Sequence, residues 1–265
     1  MHRLIRLMFR AAAKTIAFRA ETWLWLILEA IPLIILLMIW QGIYAKSSVL
    51  GGVQFSTVVF YYIFVFLVDM LTAAHFESWR IAEIREGRID FYLTKPLGYL
   101  SELSIRHVGD KLMSAVLKMP LFVGFIFLIH VLFHPTLPPI QIITLLQTIP
   151  LLLGAFILQF CLSTIIVLIG FWLENAEGLD HFRWLSTSLF SGIVIPFAFM
   201  PAGLLHFAQL LPFKYLHSVP VLVLLGQQSI MLGDYFYLTA TCFVLGIITL
   251  LLWWKARLRY SAYGG

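Results

Sequence analysis

Residues 142–173 read IITLLQTIPLLLGAFILQFCLSTIIVLIGFWL, 32 positions without one Asp, Glu, Lys or Arg. A helix this apolar on every side has no face to offer water and must be solvated by hydrocarbon or buried in protein. About 20 residues of helix cross a bilayer core of about 30 Å, so this run is long enough to tilt or to project beyond the bilayer. Five further apolar runs surround it, at 23–41, 58–74, 114–133, 185–205 and 235–254. Together they predict an all-α polytopic membrane protein with six transmembrane helices.

Composition supports the same class. Of the 265 residues 61% are hydrophobic and only 12% charged, and the mean hydropathy is +0.94; soluble domains carry about a quarter charged residues. The 23 Phe, 10 Tyr and 8 Trp suit lipid-facing and interfacial positions. Cys161 and Cys242 fall inside apolar runs and are too few for a disulfide framework, so they read as small buried hydrophobes. The net charge of +5 does not point to nucleic acid, because its placement follows a membrane rule instead. Residues 1–21 carry Arg3, Arg6, Arg10 and Lys14 on one helical face and Ile5, Met8, Phe9, Ala12 and Ile16 mostly opposite. That pattern predicts an amphipathic interfacial helix. It lacks the short apolar core and cleavage site of a signal peptide, so no cleavable leader is expected.

Sixteen of the 18 Lys and Arg residues lie on one side of the expected topology: the N-terminal segment, the connection 76–113 with Lys118 at its edge, the connection holding Arg183, and the C-terminal tail. Only Lys46 and Lys214 lie on the other. Positive charge marks cytoplasmic loops, so both termini and 76–113 are expected in the cytoplasm of a bacterial cell, with the chain in the inner membrane. Residues 201–228 are apolar but broken by Pro201, Pro212 and Pro220. Proline removes a backbone donor and stops a helix, so short helices dipping in from the outer side are expected there instead of a seventh span.

Glu29 and Asp69 stand inside apolar runs, where an ionisable group is costly and marks a pathway or an interhelix tie. Interfacial water or a basic residue such as Arg19 is within reach of Glu29. His130 and His134 share a helix face but have no evident third ligand, so no metal site is expected. No phosphate-binding loop, zinc-protease motif or nucleophile elbow occurs, so neither ATP hydrolysis nor another catalytic role is expected of this chain alone.

The informative polar segment is Trp79-Arg80-Ile81-Ala82-Glu83-Ile84-Arg85-Glu86-Gly87-Arg88-Ile89-Asp90, continuing to Lys95-Pro96-Leu97. Alternating charged and large apolar residues predict a short amphipathic helix, a break at Gly87, a second short helix and a stop before Pro96. So many apolar residues are wasted in a solvated loop, so the segment is expected to pack on protein or on the membrane surface.

In this segment the chain resembles the permease subunits of type-2 ABC transporters, in the six-helix branch without a fused ATPase. The likeness continues through Leu37 to Tyr44, through Phe171 to Leu179, and through Gly192, Pro196, Pro201, Leu211-Pro212-Phe213, Pro220 and Leu225-Gly226. It implies that 83–90 is the coupling helix seated on the ATPase, with Glu83, Arg85, Glu86, Gly87, Arg88, Asp90 and Pro96 as its coupling residues. It further implies that 1–21 is a connecting helix, that 76–113 is the cytoplasmic coupling loop, and that 201–234 is an outer re-entrant hairpin between helices five and six. Residues 1–265 then form a single permease domain. The resemblance implies two cytosolic ABC ATPase subunits, which hold the ATP and Mg, and a second permease half, identical or related. Beyond these the expected partner is membrane lipid, not nucleic acid.

Export is the direction the resemblance implies, with import open, and the substrate is not legible. Two alternatives remain. A mechanotransmitting subunit keeps the fold but passes no substrate, and the short outer connections count against it. An ion-coupled secondary transporter uses Glu29 or Asp69 as proton sites and needs no ATPase.

Overall fold

The structure is a computed structural model and describes residues 13, 16–47, 49–89, 98–173 and 177–259. Most of the amphipathic segment expected at 1–21 lies outside the described residues, as do Asp90 and Pro96. The described part begins with α1 (Arg19–Tyr44), which leads to a hairpin of β1 (Val49–Leu50) and β2 (Val53–Gln54). Gly51 and Gly52, at φ 55° and 79°, supply the two left-handed positions of its tight turn.

Helix α2 (Phe55–Thr72) descends from the hairpin and is followed by α3 (Glu77–Arg85). Then come α4 (Tyr99–Phe133), α5 (Ile142–Ile169), α6 (Glu177–Phe190), α7 (Ala202–Leu210), α8 (Ser218–Leu224) and α9 (Leu232–Arg259). Among the described residues five stretches are long and apolar enough to cross a membrane: α1, the stretch from α2 through α3, α4, α5 and α9. The family of helices packs around α2 and α5. Helix α2 meets α1, α4, α5 and α8, and α5 meets α9, α8, α2 and α3. Val58 to Ile63 are buried without a break, so α2 is surrounded by protein. In contrast α1, α4 and α9 turn Leu, Ile, Phe and Val side chains outward along their length, the surface hydrocarbon solvates.

Two expectations change. Residues 99–113 of the connection 76–113 already belong to the spanning helix, because α4 begins at Tyr99 and runs without interruption into the apolar run expected from 114. The Glu102–Arg106 pair at 2.6 Å spans one turn and supports this polar extension. The run 185–205 is not a continuous helix. Helix α6 ends at Phe190, a bend follows, and short helical turns resume at Phe197–Phe199 and Ala202. Hydropathy reads side chains, whereas here the backbone decides: Gly192 takes φ 82°, and Pro196 and Pro201 each precede a new turn. The segment after Pro201 is short helices, as its prolines imply. Pro212 opens a 3-10 turn to Tyr215, and Pro220 sits in the first turn of α8, where its missing N–H costs least.

Candidate functional site

At the end of the bundle that gathers the basic residues, α3 lies across the tip of α5. Ile81 is fully buried against Ile166, and Ile84 and Ile89 pack with Val167 and Leu168. The helix stops in a Schellman motif. Gly87 N–H donates to the Ile84 carbonyl at 3.1 Å and Arg88 N–H to the Glu83 carbonyl at 3.0 Å, with Gly87 at φ 70°. The break expected at Gly87 is therefore present, for the reason that a side chain there is strained.

Charge on α3 is divided by face. Arg183 of α6 pairs with Glu77 at 2.6 Å, both buried, and also meets Asp180 at 3.3 Å and the Ala74 carbonyl at 3.3 Å. The Glu77 contact is an ion pair outside hydrogen-bonding direction. Ser78 Oγ adds a bond to Asp180 at 3.4 Å. Glu83 turns inward to Arg80 at 2.6 Å, and the Arg80 guanidinium lies 4.3 Å from the centre of the Trp79 ring. The outer face carries Trp79, Arg85, Glu86 and Arg88, the last two paired with each other at 2.7 Å while more than half exposed. Of the expected coupling residues, Arg85, Glu86 and Arg88 thus face out and Glu83 is engaged within the chain.

The bundle interior holds a second polar assembly. Asp69 of α2 accepts a bond from His217 Nε2 at 3.1 Å, and His217 Nδ1 lies 3.0 Å from Ser191 Oγ. With Nε2–H given to the carboxylate, Nδ1 accepts the serine proton. Tyr61 donates to the Gly192 carbonyl at 2.8 Å and Tyr62 to the Val194 carbonyl at 2.7 Å. Ser218 donates to the Ser191 carbonyl at 2.8 Å, and Trp40 Nε1 donates to Tyr62 OH at 2.9 Å. Ser, His and Asp occur together, but this is no hydrolytic triad. Ser191 and His217 are both 0% exposed, so no substrate carbonyl reaches the hydroxyl. The set instead satisfies the broken backbone of 191–194 and ties it to α2 and α8.

Glu29 and Asp69 are not brought together. Glu29 meets Lys118 of α4 at 3.4 Å on the α1–α4 flank, so a basic residue does reach it, Lys118 in the place for which Arg19 served as the example. Nothing in the sequence singled out Tyr61, Tyr62, Ser191, His217 or Glu77. The available signal was polar side chains beside Gly192 and Pro220 within otherwise apolar runs.

An internally tied helical bundle, lipid-facing on its flanks and charged at one end, defines a multi-pass membrane protein. The chain belongs to the ABC-2 family transporter proteins, whose family model matches residues 30–264. Searches of curated proteins and of solved structures find no significant match. The chain is accordingly the membrane domain of an ABC-type transport permease, as its resemblance to the type-2 permeases implied.

Proposed function

We propose that this chain is the permease subunit of an ABC exporter. It moves substrate across the inner membrane, while ATP and Mg are held and turned over by a separate cytosolic ATPase. Two ATPase copies serve two permease halves, the second an identical or related chain. The basic end is then cytoplasmic, with both termini there. Termini on one side require an even number of crossings, so the five long apolar stretches are completed by an interrupted sixth made of α6, the bend and α7. Residues 201–234 form the outer re-entrant segment.

What carries the reading is the two-sided chemistry of α3. Its outer face offers Trp79, Arg85, Glu86 and Arg88, and its inner face is fastened to α5 by Ile81 and to α6 by Glu77–Arg183. A push on that outer face is transmitted to two elements of the bundle at once, which is how a partner biases a bistable membrane domain. Asp90 and Pro96 complete the coupling segment in this reading. Glu86→Arg and Gly87→Trp are expected to leave the protein inserted but to cut ATPase co-purification at least tenfold, whereas Lys46→Glu on the opposite side leaves it unchanged. Full ATPase recovery by both variants overturns the assignment.

The Asp69–His217 pair, with Asp69 half-buried, favours a second reading, ion-coupled transport with Asp69 as proton site. Vanadate separates the two: it stops ATPase-driven transport in vesicles and leaves ion-coupled transport running.

A further inference from the structure

The two lysines of α4 differ in one respect. Lys118 has Glu29 as a partner at 3.4 Å. Lys111, about two turns earlier on the helix, makes no hydrogen bond or ion pair among the described residues. Its side chain lines a cavity of about 430 Å³ between α2, α4 and α5, walled by Leu71, Leu112, Ala115, Leu152 and Phe156. Thr72, at its floor, already donates its hydroxyl to the Val68 carbonyl. The cavity is therefore an apolar slot with one cation at its edge that no carboxylate bonds directly, Asp69 and Glu29 acting on it only through space, and its volume lies within the range of small-ligand sites.

The depth of that cation is fixed by the helix. From Lys111 to Phe133, the last residue of α4, the rise is about 33 Å, close to the thickness of the hydrocarbon core. With Phe133 at one boundary, Lys111 stands at the other, at the level of lipid headgroups on the basic side. The slot extends from it into the hydrocarbon, and Leu112, Ile149 and Leu153 on its rim are exposed to the bilayer side.

We propose that this slot binds one anionic phospholipid, with the phosphate on Lys111 and an acyl chain between α4 and α5. The charge selects the occupant: an ammonium beside apolar walls with no directly bonded carboxylate gains a contact partner in a phosphate, and basic pockets between membrane helices take anionic headgroups. A second copy of the chain is a poorer occupant. The acids within the apolar runs, Glu29 and Asp69, are already held by Lys118 and His217. The assignment to the cytoplasmic leaflet rests on the orientation proposed above; the site itself does not.

Native mass spectrometry of the purified full-length protein, titrated with phosphatidylglycerol or phosphatidylcholine, tests this without any ATPase, so its failure leaves the coupling assignment untouched. The wild type is expected to retain phosphatidylglycerol preferentially. Lys111→Gln weakens that retention about fivefold or more, while Lys111→Arg and Lys118→Gln keep it. Leu153→Trp, which fills the rim, weakens retention with the charge intact. Gel-filtration profiles confirm that each variant is folded. Equal retention of both lipids by the wild type overturns the proposal, as does unchanged retention by Lys111→Gln. Displacement of the lipid by millimolar inorganic phosphate overturns it in favour of a free-anion site. Disulfide capture of a second copy through Leu112→Cys overturns it in favour of a subunit contact.

Discussion

Midway along α6, Arg183 meets Glu77 and Asp180 as ions, and just past the end of that helix the backbone of 191–194 is held by hydroxyl groups of Tyr61, Tyr62 and Ser218. Both regions stop a polar group from being left without a partner, yet they use different chemistry. The clamp sits at the basic end beside exposed charges, where Arg183 meets two carboxylates and the Ala74 carbonyl. The broken stretch sits among apolar side chains, where each unsatisfied carbonyl costs several kcal/mol and an ion costs more. A phenol donates one strong bond while burying a large apolar ring, so tyrosine suits the interior and arginine the edge.

The largest effect is expected in the broken stretch. Gly192 holds φ 82°, and a Cβ there lands on Ser218 Oγ and within 2.7 Å of Tyr61 OH. Gly192→Val therefore strains the backbone and expels both hydroxyls, a loss above about 4 kcal/mol. It is expected to leave little monodisperse protein on gel filtration; a wild-type profile and melting temperature would show that the hydroxyl tie does not hold this region.

An intermediate effect is expected at the clamp. Arg183→Met strands the buried Glu77 carboxylate, at a cost of about 3–5 kcal/mol. Adding Glu77→Gln should recover most of the lost melting temperature, since the stranded charge is gone. If the double variant melts no higher than the single one, the pair is not coupled and the charge division between the regions fails.

Tyr61→Phe is expected to be mildest. It keeps the ring and strands the Gly192 carbonyl, for about 1–3 kcal/mol. A loss equal to that of Gly192→Val would place the whole tie on one hydroxyl and sharpen the contrast with the multiply bonded arginine.

Much of the architecture was legible because it is written locally. The apolar runs of α1, α2, α4, α5 and α9, the stop at Gly87 and the punctuation by Pro201, Pro212 and Pro220 each follow from neighbouring residues. The run 185–205 misled because hydropathy sums side-chain transfer and is blind to a backbone that turns at Gly192. Asp69 was legible as an anomaly but not as a pair. Its partner His217 lies 148 residues away, and that distance in sequence carries no periodic signal.

Sequence alone therefore determined that the chain lives in a membrane and where its glycine and proline breaks fall, because solvation and backbone geometry act residue by residue. Only the tertiary structure decided that Glu83 faces inward, that Glu29 pairs with Lys118 and Asp69 with His217, and that Lys111 makes a direct contact with neither acid. A charge in low dielectric is satisfied by whichever group packing delivers within about 4 Å, and packing is a property of the whole bundle.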